Sequence, residues 1–186
     1  MMSVWVFCTV VCCVLVAVLG SGDIGPGIWD VKYIQKCEED AHKFKFDIVK
    51  KKINRTHDGF NADLKLDEVF SDKYGIRIEM CKHVDGGCKP YQLLTDDCMV
   101  NFVNKYAKEN VIKCLELAGA DPPEFPLDKG NYHIEDYAFD YCELPTDSAY
   151  GTFGAKAFIL EGATEVGCVE LHVEFKVNED EDMCEK

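Results

Sequence analysis

Residues 167–177 read Gly-Cys-Val-Glu-Leu-His-Val-Glu-Phe-Lys-Val. From position 169 onward, apolar residues at odd positions alternate with polar residues at even positions. Successive side chains of a β-strand point to opposite faces, so this alternation predicts a strand with one buried and one solvated face. Half-buried strands of this kind are typical of antiparallel sheets, and the stretch therefore predicts a mainly β fold.

A second stretch, residues 125–134, reads Phe-Pro-Leu-Asp-Lys-Gly-Asn-Tyr-His-Ile. Pro126 and Gly130 predict a turn that leads into a strand from Tyr132. With these two stretches included, strands are predicted by alternation or apolar runs at residues 44–48, 64–66, 74–80, 132–141, 152–160 and 166–177. Several short strands in a chain of this length predict a β-sandwich.

Residues 95–117 depart from this pattern, because their apolar side chains recur with the period of a helix. Thr95 or Asp96 is a candidate cap, and Gly119 is a candidate end. The helix is expected to cover an edge or one mouth of the sandwich. Cys98 and Cys114 would lie roughly 24 Å apart in a continuous helix, so they should not pair unless the helix breaks between them.

The first 19 residues carry no charge, and the apolar run from Val4 to Leu19 ends in Gly20-Ser21-Gly22. This pattern predicts a secretory signal peptide, residues 1–20, with an uncleaved signal anchor as the alternative. Residues 21–186 are then expected to form a single domain that is secreted or extracellular. The lysosomal lumen is an alternative location. No later apolar run has spanning length, so no stable membrane insertion is expected.

Cleavage would remove three of the eleven cysteines and leave an even number. In a secreted chain this predicts four disulfides, for which eight cysteines allow 105 connectivities. A zinc site is disfavoured, because the cysteines lack the spacing of zinc ligands. The remaining cysteines are Cys37, Cys81, Cys88, Cys98, Cys114, Cys142, Cys168 and Cys184.

The net charge of −14 argues against nucleic acid as a partner. Lysines nevertheless cluster between residues 43 and 55, and the favoured interpretation is the solvated face of a strand. A patch for lipid headgroups or for an acidic partner is the alternative. Asn54-Arg55-Thr56 is a sequon and predicts a glycoprotein modified at Asn54.

Four short motifs resemble the ML lipid-recognition superfamily, in particular its ganglioside-activator-like and Niemann–Pick type C sterol-carrier-like secreted members. They are Pro126-Leu127-x-x-Gly130-x-Tyr132, Leu144-Pro145, Gly151-Thr152-Phe153 and Gly167-Cys168. The chain departs from the family at Phe125, where the family usually has a cysteine. The resemblance implies the disulfides Cys37–Cys168 and Cys81–Cys88 and leaves the pairing of Cys98, Cys114, Cys142 and Cys184 open.

The resemblance also implies an immunoglobulin-like, two-sheet antiparallel β-sandwich with one helical insertion and an apolar cup between the sheets. A lipid, fatty acid or sterol would enter this cup for transport or presentation, and a receptor or a lipid-processing enzyme is a candidate recipient. Ordinary core packing is the competing interpretation for each lining residue. The candidate ligand-binding residues are Phe46, Ile48, Ile78, Tyr137, Phe139, Tyr141, Phe153, Phe158, Val169, Leu171 and Val173.

No catalytic motif, metal motif or cofactor fingerprint occurs in the sequence, so neither an enzyme nor a cofactor is expected. Glu38, Glu39 and Asp40 form a carboxylate cluster. The sequence does not give the distances between carboxylates across the fold, so the cluster is not assigned as a general acid–base pair. The histidines at 42, 57, 83, 133 and 172 are interpreted as surface residues. The alternative to a lipid carrier is a secreted interaction, defence or signalling factor without bound lipid.

Overall fold

The computed structural model describes residues 24–37, 42–52, 58–178 and Cys184. The predicted signal peptide, the Asn54 sequon and the carboxylates at 38–40 lie outside the described residues. Within this part the chain is mainly β, as the sequence predicts. The strands are β1 (Ile24–Pro26), β2 (Ile28–Lys36), β3 (Phe44–Lys52), β4 (Asp58–Leu66), β5 (Gly75–Val84), β6 (Gly87–Asp96), β7 (Gly130–Tyr137), β8 (Asp147–Ala149), β9 (Gly151–Glu161) and β10 (Thr164–Lys176).

The strands form a β-sandwich with a small helical insertion. One layer has the order β2-β10-β9-β5-β6, and the other has the order β3-β4-β7. Strand β10 belongs to the first layer and meets the second at a single parallel pair, Gly167 with Phe44. All other pairings are antiparallel, including the small separate pair of β1 with β8. The backbone pairing between the two layers is thus confined to one end of β10.

Gly167 explains how the layers approach so closely at this junction. A Cβ at this position would lie 3.1 Å from the Phe46 ring, 3.2 Å from the Cβ of Phe44 and 3.3 Å from Ile159. These distances are tighter than ordinary van der Waals contact, so even an added Cβ would require Phe44, Phe46 or Ile159 to shift by a few tenths of an ångström. The glycine of the Gly167-Cys168 motif therefore permits the close contact between β10 and β3 at this junction.

The loop that carries the Pro126-Leu127 motif is anchored in the main core. Leu127 exchanges two backbone hydrogen bonds with Phe70, of 2.8 and 2.9 Å, and its side chain is buried. Phe125 packs against the Phe70 ring with 5.6 Å between ring centroids. An aromatic contact thus holds this loop at the position where the family usually has a cysteine.

The helical insertion contains two helices instead of the single helix that the sequence predicts. Helix α1 (Met99–Tyr106) and helix α2 (Lys108–Leu117) are separated by Ala107, whose backbone is not helical. The carboxylate of Glu143 accepts hydrogen bonds from the backbone N–H groups of Glu109 and Asn110, at 2.6 and 2.9 Å. A distant side chain therefore caps α2 and gives it its own N-terminus.

The eight cysteines of the described residues form three disulfides, so the prediction of four is wrong. They are Cys37–Cys168, Cys81–Cys88 and Cys142–Cys184, and the first two are the pairs that the family resemblance implies. Cys98 and Cys114 are free thiols. The helix does break between these two cysteines, but the break does not bring them together. Cys98 precedes α1, while Cys114 lies in α2 and faces the space between the layers.

Candidate functional site

An apolar cleft of about 420 Å³ lies between the two layers, beyond the junction at Gly167. Both layers, helix α2 and the chain after β7 contribute to its walls, and the exposed surface of the lining is entirely apolar. The lining residues are Trp29, Val31, Ile34, Ile48, Phe60, Ala62, Leu64, Cys114, Leu115, Ile134, Tyr137, Phe139, Leu144, Leu171 and Val173.

Strand β4 contributes three side chains through simple alternation. Phe60, Ala62 and Leu64 share one face of the strand and all line the cleft. Ile48 on β3 and Ile134 on β7 lie directly opposite Ala62 in the register, so the three strands present a continuous apolar floor.

Strand β2 reaches the cleft through a β-bulge. Val31 pairs with Val173 and Tyr33 pairs with His172, which leaves Lys32 as the extra residue. The bulge shifts the alternation by one position, so Val31 and Ile34 both line the cleft although they are three residues apart. Bulges of this kind are frequent next to binding sites because they redirect side chains.

The Leu144-Pro145 motif closes one side of the cleft. The side chain of Leu144 is part of the lining. The indole N–H of Trp29, another lining residue, donates a 2.9 Å hydrogen bond to the carbonyl oxygen of Pro145. This bond fixes the tryptophan ring while satisfying its polar atom outside the cleft.

The hydroxyl group of Tyr137 is also turned away from the cleft. It lies 2.6 Å from Oδ1 and 2.9 Å from the carbonyl oxygen of Asn110, whose side chain is only 2% exposed. Burial, with the nearby Cys114, Glu143 and Asp140, raises the pKa of Tyr137, so the phenol stays neutral. The ring of Tyr137 thus faces the cleft without bringing a polar atom into it.

Asn110 connects this hydroxyl group to the cap of helix α2. Its Nδ2 donates to the carbonyl oxygen of Asp140 at 2.9 Å and to the Glu143 carboxylate at 2.6 Å. Its Oδ1 accepts from the backbone N–H of Asp140 at 2.8 Å. A fully bonded buried amide of this kind fixes the position of α2 against β7, and therefore the width of the cleft at that side.

Cys114 is the one lining residue with a reactive heteroatom among the described residues. Burial raises the pKa of its thiol to about 11, against a usual value of 9.0, and outweighs a hydrogen bond with Tyr137 that lowers it. The thiolate is the nucleophilic form of cysteine, so burial makes this group react slowly at neutral pH.

We expect alkylation of Cys114 by iodoacetamide at pH 8 to be about 100-fold slower in the folded protein than in the chain unfolded in guanidinium, because two pH units separate the two pKa values. Mass spectrometry of the peptide containing Cys114 measures the rate, and Cys114→Ser serves as the blank. Equal rates in the folded and unfolded chain would contradict the buried position. Labelling that requires prior reduction would contradict the free thiol.

Five of the predicted ligand-binding residues line the cleft, namely Ile48, Tyr137, Phe139, Leu171 and Val173. The other six lie elsewhere. Phe46 lines a separate depression beside the Cys37–Cys168 disulfide, Phe153 is fully buried in a cluster with Phe175, and Phe158 lies under the Arg77 guanidinium. Ile78, Val169 and Tyr141 are half-buried, on β5, on β10 and in the short 3-10 helix Tyr141–Glu143 respectively.

Ten lining residues were not among the predictions. The apolar alternation of Phe60, Ala62 and Leu64 was a readable signal for three of them. The residues of β2 gave no such signal, because the bulge at Lys32 interrupts their alternation. Whether Cys114 and Leu115 line the cleft depends on how α2 packs against the strands, and the local sequence does not determine this packing.

Potential metal ligands do not cluster in the part of the chain that the structure describes. Within residues 24–37, 42–52 and 58–178 no group of three or more potential metal ligands occurs. His133 is exposed beside Asp63 and Glu135, which raise its pKa, and His172 stacks on the ring of Tyr33 at 4.1 Å. None of the described helices is long and apolar enough to cross a membrane.

Comparison with known proteins adds no assignment to this geometry. No model of a known protein family matches the chain, and a search of curated proteins found no match either. The resemblance to the ML superfamily therefore stays a prediction, and the function is inferred from the cleft.

Proposed function

We propose that this protein binds an amphiphilic lipid and holds its apolar part in the cleft between the two layers. The observation that carries the proposal is a space of about 420 Å³ whose accessible lining is entirely apolar. Small-molecule sites typically measure about 300–1,000 Å³ and bury most of their ligand against hydrophobic side chains. The cleft therefore has the size and chemistry of a site for an acyl chain or a sterol nucleus.

The energetic basis of binding is the hydrophobic effect. Each methylene group that moves from water into the cleft contributes about 0.8 kcal/mol. The indole N–H of Trp29 and the hydroxyl group of Tyr137 are already hydrogen-bonded to protein groups, so neither needs a partner inside the cleft. Such a lining offers an apolar chain no penalty from unpaired polar groups.

Simple core packing is a weaker interpretation of the same residues. In an ordinary sandwich the inner side chains of the two sheets interdigitate and fill a space about 10 Å thick. Here Val31, Ile34 and Ile48 remain partly exposed although they belong to the inner faces of their strands. The separation of the layers beyond Gly167 thus leaves a surface that a ligand can cover.

The proposal includes secretion and carriage without catalysis. Three disulfides favour an oxidising compartment, either extracellular or lysosomal. Cys114 is the only described lining residue with a nucleophilic group, and its raised pKa makes it unsuited to covalent chemistry. We therefore propose a carrier that presents its lipid to a receptor or a lipid-processing enzyme, in keeping with the ML resemblance.

Lipid extraction tests the proposal directly. Protein secreted from eukaryotic cells is purified, extracted with organic solvent and analysed by mass spectrometry, and the delipidated protein is titrated with a fluorescent fatty acid and a fluorescent sterol. We expect one lipid per chain, or saturable uptake of one of the two probes with the same stoichiometry. Absence of any extracted lipid together with no uptake of either probe would rule out the carrier function.

A further inference from the structure

The apolar inner face of strand β3 ends in a lysine at one end of the cleft. Phe46, Ile48 and Lys50 share this face, because side chains two residues apart on a strand point to the same side. Lys50 lies directly opposite Phe60 in the β3–β4 register, and both Phe60 and Ile48 line the cleft. The apolar surface is therefore followed immediately by an ammonium group.

The Lys50 side chain is held at the rim and is only 19% exposed. Its Nζ donates a 2.6 Å hydrogen bond to the carbonyl oxygen of Val31, a lining residue on β2, and lies 3.4 Å from Oδ1 of Asp30. Strands β2 and β3 share no backbone pairing in the described residues, so Lys50 spans a seam between the two layers.

Outside this seam the surface forms a groove of about 310 Å³ that is strongly basic. Ile34 is common to the groove and to the apolar cleft, so the two are adjacent. No carboxylate is part of the groove lining within the described residues. The lining residues are Lys32, Tyr33, Ile34, Val49, Lys50, Lys51 and Lys52.

Among the described residues, nearby carboxylates pair with two further lysines of the groove. Lys32 pairs with Asp30 at 2.9 Å and with Glu174 at 2.6 Å, while Lys51 pairs with Asp136. Burial alone would raise the pKa of Asp30, but the hydrogen bond from Lys32 and the charges of the surrounding lysines bring it below its usual value. The carboxylate is thus ionised at neutral pH, and the groove remains rich in lysine in a chain whose net charge is −14.

We infer that the ligand is an anionic amphiphile, whose carboxylate or phosphate head group lies at Lys50 and the lysine groove while its acyl chain occupies the cleft. The inference rests on the proposed function and narrows its ligand class. A lysine ammonium forms charge-assisted hydrogen bonds with either kind of head group. The head group and the chain of one molecule would then match two surfaces that meet at Ile34.

Two ligands with the same chain separate the contribution of the head group from that of the cleft. Dodecanoate and 1-dodecanol differ in charge but not in chain length, and displacement of a fluorescent probe measures the affinity of each at pH 7.4. We expect Lys50→Met to weaken dodecanoate binding about tenfold and to leave 1-dodecanol binding unchanged. Methionine keeps an unbranched apolar side chain at this position and removes the charge.

Three further variants make the result specific. Lys50→Arg should restore most of the dodecanoate affinity, and Lys129→Met, the same change at an exposed lysine before β7, should alter neither ligand. Asp30→Asn removes a carboxylate that competes with the head group for Lys50, and it should tighten dodecanoate binding about threefold. This variant tests the site even if Lys50→Met does not fold.

Different outcomes reach different conclusions. If Lys50→Met lowers the affinity for both ligands equally, or if Asp30→Asn lowers the affinity for dodecanoate, the anionic head-group site is overturned. Neither outcome affects the proposed lipid-binding function. Failure of the unmodified protein to bind either ligand or a sterol, with no lipid extracted from the secreted protein, would overturn the proposed function itself. Weaker dodecanoate binding in millimolar inorganic phosphate, with 1-dodecanol binding unchanged, would support the head-group site. Phosphate binding without any dodecanoate binding would make it a free-anion site and overturn the inference.

Discussion

Replacing Cys37 and Cys168 with alanine is expected to lower the free energy of unfolding by about 5 kcal/mol. The two cysteines are 131 residues apart, so their bond removes a large loop-closure entropy from the unfolded chain. They also join the end of β2 to β10 one residue after Gly167, where the layers meet. A loss of this size equals a large share of the stability of a typical domain.

The Cys81–Cys88 disulfide provides a matched control, because it closes only seven residues at the end of the β5–β6 hairpin. The same chain-entropy relation gives about 2 kcal/mol for its removal by double alanine substitution. Guanidinium denaturation followed by circular dichroism measures both variants. Equal losses in the two variants would contradict the role of the long loop, as would a larger loss from the hairpin variant.

The sequence predicts the strands well where one face of a strand is buried and the other is solvated. The alternation at residues 169–177 led directly to β10, and the observed strand Thr164–Lys176 contains most of it. Alternation is a local property, since it depends only on the period of the strand. It therefore indicates which side chains point inward, but not whether the opposite layer fills the space in front of them.

The distinction between core and cleft is what the sequence could not supply. Phe153 and Val173 lie directly opposite each other on β9 and β10, yet Phe153 is fully buried and Val173 lines the cleft. The difference comes from what covers each side chain: the rings of Trp29 and Tyr91 lie 5.9 and 5.0 Å from the Phe153 ring, whereas Val173 lies at the cleft wall. Membership of the cleft therefore depends on tertiary neighbours that are remote in the sequence rather than on residue type.

The break in the helix had a similarly remote cause. Local periodicity favours one helix over residues 95–117, and Ala107 is a good helix former. The cap on α2 comes from Glu143, which is 33 residues beyond Asn110 and held by the same network as Tyr137. Only the folded chain brings this carboxylate to the N-terminus of α2, where it satisfies two backbone N–H groups.

Introducing a carboxylate into the cleft with Leu171→Asp is expected to weaken fatty-acid or sterol binding by more than about 100-fold, because the charge would have to lose its hydration next to the ligand chain. Leu93→Asp is the matched control, since Leu93 lies on the edge strand β6 and is 62% exposed. The Leu93→Asp control should bind the fatty acid or sterol with the affinity of the unmodified protein, although it also replaces a leucine with an aspartate.

Ala62→Phe tests the cleft without adding charge. Ala62 is buried between Ile48 and Ile134 on the cleft floor, and a phenylalanine there would occupy space that the ligand needs. Enlarging a side chain in a filled core usually costs about 1–3 kcal/mol, whereas a cleft accepts the ring with little loss of stability. We therefore expect probe binding to be lost while the thermal unfolding midpoint of the lipid-free protein stays within a few degrees of the parent. Unchanged probe binding together with a marked fall in the midpoint would mean that Ala62 faces packed core and that the ligand lies elsewhere.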